Sequence, residues 1–123
     1  MALLREYSTV STPYKYHWIK KQQDFSVIMR RGRAIHGKLM ILRHVAGAEA
    51  NPRFGFVVSK SVGGAVVRNL AKRRLRELVR TSEINKVCDL IFIAKSAIAT
   101  ARFEDIKLEF NSLLDKAGVL VKR

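Results

Sequence analysis

Ala65-Val66-Val67-Arg68-Asn69-Leu70-Ala71-Lys72-Arg73-Arg74-Leu75-Arg76-Glu77-Leu78-Val79-Arg80-Thr81 contains neither proline nor glycine, and Gly63-Gly64 stands immediately before it. On a helical wheel at about 100° per residue with Arg68 at zero, Lys72, Arg76, Arg80 and Arg73 fall between zero and roughly 140°. Leu70, Val67, Leu78, Ala71 and Leu75 fall between roughly 200° and 340°. One face is basic and the other apolar, so the stretch predicts an amphipathic helix laid on a core with its cations outward. Arg74, at roughly 240°, and Val79, at roughly 20°, break the pattern. The Arg74 stem can lie along the core edge while its head reaches water.

Working outward, Phe54, Phe56 and Val58 alternate with Gly55 and Val57, as a half-buried strand does. The apolar run Leu39-Met40-Ile41-Leu42, within Lys38 to Val45, is a second strand, and turn chemistry from Ala46 to Pro52 separates the two. Two antiparallel strands joined by a loose loop are expected. Leu90-Ile91-Phe92-Ile93, inside Asp89 to Ala94, reads as a strand buried on both faces. Phe25, Ile28 and Met29, with Trp18 seven residues before Phe25, mark a first helix from about Lys20 to Arg31, stopped by Gly32. Phe103, Ile106, Phe110, Leu113 and Leu114 stripe a last helix that Gly118 ends, with Glu104 and Asp105 suiting its first turn. A short strand over Arg33 to His36 completes an α+β sandwich: a roughly four-stranded sheet with three helices in the order α-β-β-β-α-β-α.

The chain has 123 residues and carries 24 Lys and Arg against 10 Asp and Glu, a formal charge of +14. That length holds one domain and excludes a two-domain enzyme. An apolar fraction of 48% is ordinary for a globular protein, so the charge sits on a folded surface. Such self-repulsion is relieved by a polyanion, with nucleic acid the first candidate and an anionic membrane the second. No apolar run reaches the ~18 residues of a membrane span, and Arg5-Glu6 directly after Met1-Ala2-Leu3-Leu4 leaves no secretory core. Residues 1–16 read as a loosely ordered extension and 17–123 as a single domain. One cysteine, Cys88, fits a reducing cytoplasm.

No catalytic or metal constellation stands out. His17, His36 and His44 lack zinc spacing and neighbouring ligands, Cys88 reads as a core thiol, and Glu104-Asp105 as a solvated helix start. A charge run is usually only a solvated face. Here Glu77 is its sole acid, the whole chain is strongly basic, and Ser59-Lys60 with the glycine turn leads into the helix start. Basic residues at i, i+4 and i+8 can follow a phosphate backbone, which favours nucleic-acid binding.

Residues 53–80, Arg-Phe-Gly-Phe-Val-Val-Ser-Lys-Ser-Val-Gly-Gly-Ala-Val-Val-Arg-Asn-Leu-Ala-Lys-Arg-Arg-Leu-Arg-Glu-Leu-Val-Arg, resemble the protein subunit of bacterial ribonuclease P. That family shows R-x-G-x-x-V-S-K-[KR]-x-G-x-A-V-x-R-N-R-x-K-R-x-x-R-E. The match extends in register to Lys20-Lys21 with Asp24-Phe25 and Gly32, to Asp89-Leu90-Ile91-Phe92-Ile93-Ala94-Lys95, and to Phe103-Glu104. The resemblance implies a small basic protein that binds a large catalytic RNA and helps it remove the 5′ leader of precursor tRNA. It also implies a left-handed β-α-β crossover, no catalytic group or metal on the protein, and Mg²⁺ held at the RNA. By position, the RNA-facing set is Ser59, Lys60, Arg68, Asn69, Lys72, Arg73 and Arg76. The leader cleft is Phe25 and Met29 with Met40, Leu42 and Val57.

Two departures stand out. Leu70 replaces the second arginine of the family's Arg-Asn-Arg, and the helical arc assigns it to core packing. Met29 and Leu42 stand where aromatics are common, which weakens base stacking on that cleft. For Phe25 and Met29 the competing reading is core packing. For the whole chain the competing readings are a ribosomal-type structural RNA-binding protein and a self-contained nuclease.

Overall fold

Leu90 to Phe92 are fully enclosed, and the strand that contains them, Cys88–Ala94, runs through the middle of the sheet. The computed structural model describes residues 16–47, 50–84 and 86–120. In chain order the elements are β1 (His17–Trp18), α1 (Gln22–Arg31), β2 (Arg33–His36), β3 (Met40–Ala46) and β4 (Arg53–Val57). They are followed by α2 (Ala65–Arg80), β5 (Cys88–Ala94), a 3-10 turn (Ser96–Thr100) and α3 (Phe103–Ala117). The sheet order is β1-β4-β5-β3-β2.

The α+β class with three helices is as expected, but the sheet has five strands, not about four. The additional one is β1, whose two residues are too few to show any alternation. It lies parallel to β4, with the His17 N–H donating to the Pro52 carbonyl and the Ile19 N–H to the Phe54 carbonyl. Trp18 therefore belongs to a strand and not to the helical stripe of Phe25. Strands β3 and β4 do run in opposite directions, but they are not neighbours. β5 lies between them, antiparallel to β3 from Met40 opposite Ala94 to Ala46 opposite Cys88. It runs parallel to β4 from Arg53 opposite Asp89 to Val57 opposite Ile93. Parallel neighbours need a crossover, and α2 is that crossover.

Tyr16, placed by the sequence in the loose extension, is tied into the fold. Its hydroxyl donates to the Ser82 carbonyl and accepts from the Ile84 N–H, and its ring meets Phe54 edge-on. The rest of that extension lies outside the described residues.

Strand alternation gives the sheet two different faces. Met40, Leu42, Phe54, Leu90 and Phe92 point into the main core, which they share with Leu75 and Leu78 of α2 and Ile106, Phe110 and Leu113 of α3. The rings of Phe92 and Phe110 stack at 4.6 Å. The opposite face bears Arg53, Gly55, Asp89 and Ile91, and α1 covers part of it with Ile28. Glu109 of α3 also braces the turn between β2 and β3, accepting the N–H groups of Lys38, Leu39 and Met40 at 2.7, 2.8 and 2.8 Å.

Helix α2 is rotated relative to the wheel reading. Its buried residues are Ala71, Leu75, Leu78 and Val79, so the core arc runs from roughly 280° to 20°. Val79, which broke the predicted pattern, is 1% exposed, whereas Leu70 is only half-buried and lies outside the core cluster. Leu70 is thus an edge residue. Leu70 pulls the sequence average toward the wrong side, and only the sheet and α3 decide the true one. Arg74 is half-buried, and its head turns to the Ala101 carbonyl at 3.4 Å instead of simply reaching water.

Cys88 is buried at the start of β5, where burial first and the Asp89 charge second push its thiol up to about 12, with Lys86 opposing. The folded protein holds this proton more tightly than the unfolded chain. Stability is therefore full below about pH 9 and declines as pH rises from there toward about 12. Cys88→Ala is expected to lose that alkaline decline in urea unfolding measured on either side of about pH 9. An equal decline in both proteins would assign the effect to another group.

Candidate nucleic-acid interface

The turn before α2 follows from its sequence. The Val62 N–H donates to the Ser59 carbonyl and the Gly63 N–H to the Lys60 carbonyl, which curls Ser59–Val62 tightly against the helix start. Gly63 has φ +154°, a conformation that side chains rarely adopt, and a Cβ there would lie 3.0 Å from Val67. Gly64 caps the helix without a side-chain hydrogen bond. Ser59 and Lys60 are exposed beside it, with the Ser59 and Ser61 hydroxyls 2.7 Å apart.

Along α2, Asn69, Arg73 and Arg76 are exposed and Lys72 is half-buried. Arg80 pairs with Glu77 at 3.0 Å, but among the described residues no acid pairs with Lys72, Arg73 or Arg76. Arg68 sits inside the rotated core arc, half-buried, and its Nε is enclosed without a hydrogen-bond partner among the described residues. The members of the expected RNA-facing set on α2 therefore lie along one side of the helix, with Arg68 at the inner margin.

The second expected set divides. Phe25 lies over Gly55, where a Cβ would come within 2.9 Å of its ring, so glycine lets the aromatic seat on β4. Met29, one turn along α1, and Val57, two residues along β4, are half-buried. Met40 and Leu42 are fully buried in the main core on the other side of the sheet, and present no surface to a ligand. The continuous apolar run Met40-Ile41-Leu42 hides which residues face which way, and an offset of one reverses the face. The residues on the Phe25 side are Ile41 and Ile93. Each is half-buried, and they pair across β3 and β5 while Ile93 pairs with Val57 across β4.

A buried ion cluster fixes α1 in place. Arg53 donates from Nε and Nη2 to the two Asp89 oxygens at 2.9 and 2.8 Å, and from Nη1 to Asp24 at 3.0 Å. Hydrogen bonding to Asp89 raises the guanidinium pKa above its usual value, burial opposes this, and Asp24 adds to the rise. Since Asp24 precedes Phe25, the ion cluster sets that ring against the sheet. Arg43 adds a further tie from β3, donating to the Gly32 carbonyl at the end of α1 at 3.1 Å. None of these ties was evident from sequence, because pairing of residues 29 and 36 positions apart leaves no local signature.

Among the described residues, no three His, Cys, Asp or Glu side chains come together as metal ligands, and no helix is long and apolar enough to cross a membrane. A groove of about 920 Å³ runs between the turn at Gly37 and α3 near Leu108, and includes no residue of either expected set.

A single mixed sheet, a crossover helix with uncompensated cations and an aromatic seated beside them define a basic α+β RNA-binding protein. The family model for Ribonuclease P matches residues 14–118. The ribonuclease P protein component of Dehalococcoides mccartyi strain CBDB1 is 38% identical over 104 residues, covering 85% of this chain and 87% of that protein. The solved ribonuclease P protein of Staphylococcus aureus is 31% identical, with a TM-score of 0.77 over 86% of this chain and 99% of that one. The Thermotoga maritima ribonuclease P protein, 23% identical with a TM-score of 0.74, shares the fold. The chain belongs to the ribonuclease P protein family, whose members are subunits of a ribonucleoprotein endoribonuclease acting in tRNA 5′ processing.

Proposed function

We propose that the chain docks on the catalytic RNA of ribonuclease P through Ser59, Lys60, Arg68, Asn69, Lys72, Arg73 and Arg76. In the same complex it holds the single-stranded 5′ leader of precursor tRNA against Phe25, Met29 and Val57. Ile41 and Ile93 take the places first given to Met40 and Leu42. The observation that carries the RNA-binding half is the set of cations on α2 with no acid partner. In isolation they repel one another, and a phosphate backbone relieves that repulsion while releasing its counterions. The protein residues bind and orient. The Mg²⁺ that the reaction uses is placed at the RNA, as the family resemblance implies. The cytoplasm is the proposed setting, consistent with a lone buried thiol.

The leader half is tested with Phe25→Leu, which deletes the ring and keeps much of its apolar volume over Gly55. The ratio of precursor to mature tRNA affinity, measured for holoenzymes at fixed salt and Mg²⁺, is expected to fall by about tenfold, the loss of a base stack. Mature tRNA has no leader and should bind almost unchanged. A preserved ratio with a normal melting curve would make Phe25 a packing residue only.

A further inference from the structure

At the β1 edge of the sheet, Trp18, Ile19, Phe25 and Phe56 surround a recess of about 340 Å³, and its remaining wall is the side of α2 that bears Lys72 and Arg76. The recess exists because β1 is so short. It pairs only with Arg53 and Phe54, so beyond it the outer edge of β4 from Gly55 to Val57 has no strand neighbour among the described residues. Gly55 deepens the floor, since a Cβ there would press on Phe25 and approach Ile19 at 3.4 Å. Trp18 is 40% exposed, yet Phe56 and Phe54 hold its ring at centroid distances of 5.5 and 6.4 Å. It is a fixed aromatic surface open to solvent.

Aromatic faces and uncompensated cations around one small recess select a ligand with both a flat π-system and a negative charge. An unpaired nucleotide has both. Its base can stack and its phosphate can meet the two cations, whereas bases in a duplex are already stacked on one another. The volume lies at the lower end of the roughly 300–1,000 Å³ range of small-ligand sites. We propose that this recess is a nucleotide-binding site in which Trp18 stacks on one unpaired RNA base while Lys72 and Arg76 hold the adjoining phosphate. The proposal rests on the reading of α2 as an RNA-binding face and adds Trp18 and Phe56 to it. The nucleotide belongs either to the catalytic RNA or to the leader.

Trp18 is the only tryptophan in the chain, so its emission reports on this recess alone. The experiment titrates the full-length protein with catalytic RNA, then adds precursor or mature tRNA, following complex formation separately by anisotropy of labelled RNA. Quenching of Trp18 that saturates with the catalytic RNA supports the proposal and assigns the nucleotide to that RNA. Quenching that appears with precursor but not mature tRNA supports it and assigns the nucleotide to the leader. Unchanged emission in complexes that anisotropy shows to be formed overturns the proposal while leaving the α2 reading intact, and failure of any complex to form overturns both. As a second measurement, Trp18→Leu should weaken binding of the assigned RNA by about tenfold with an unchanged melting curve, and Trp18→Phe should restore most of it. Full affinity in Trp18→Leu would overturn the proposal.

Discussion

Arg53→Ala is expected to lower the free energy of unfolding by about 3–5 kcal/mol, the effect of stripping one partner from a buried ion pair. Asp89 is 3% exposed and receives two of the three hydrogen bonds that the guanidinium makes. Without Arg53 it must stay charged out of water or take up a proton, and both are unfavourable. Asp24 is partly exposed and contributes less, because water can replace its lost partner. Arg53→Lys keeps the charge but loses the forked geometry, so it should fall between wild type and Arg53→Ala. The combined change Arg53→Met with Asp89→Leu removes both charges and should recover much of the loss. Urea unfolding followed by circular dichroism measures all four proteins. A loss below about 1 kcal/mol in Arg53→Ala would show that the cluster behaves like an exposed pair.

The second large effect concerns salt. Affinity for the catalytic RNA should fall steeply as salt rises, and Lys72→Ala and Arg76→Ala should each flatten the slope of log affinity against log salt by about one unit. The double variant should flatten it by about two, because each cation displaces its own counterions. Arg80→Ala is the comparison, since Arg80 is already paired with Glu77 and should change the slope less. Slopes unchanged in both single variants and in the double variant would take this side of α2 out of the RNA interface.

Elements whose boundaries depend on local chemistry were legible. Gly32 ends α1, Gly64 stands directly before α2, and Gly118 ends α3 in the left-handed conformation. The sheet order was not legible. The turn residues from Ala46 to Pro52 fit a hairpin equally well as a longer connection that leaves room for β5. The cation face of α2 was readable because charge must stay outside. The inner limit of that face was misplaced, because Val79 and Leu70 have similar hydropathy and only their packing partners distinguish them. The Phe25 side of the sheet failed for a related reason: in a run where every residue is apolar, alternation carries no information about which side is the core. Trp18 reads as a continuation of the Phe25 spacing, because two residues of strand have no period to detect.

The position of β5 determines when this protein can fold. The four other strands form two separate ladders, β1 with β4 and β2 with β3, and the last strand to be synthesised is the one that joins them. Until residue 94 is free of the ribosome the nascent chain has no continuous sheet, although the cation-bearing segment 65–80 has already emerged. Closure then requires pairings between residues well separated along the chain, such as Met40 with Ala94, which are the contacts that form slowly. The chain therefore exposes its positive charge before it has a complete sheet to carry it, and any RNA encountered in that interval meets a basic segment not yet packed on its core.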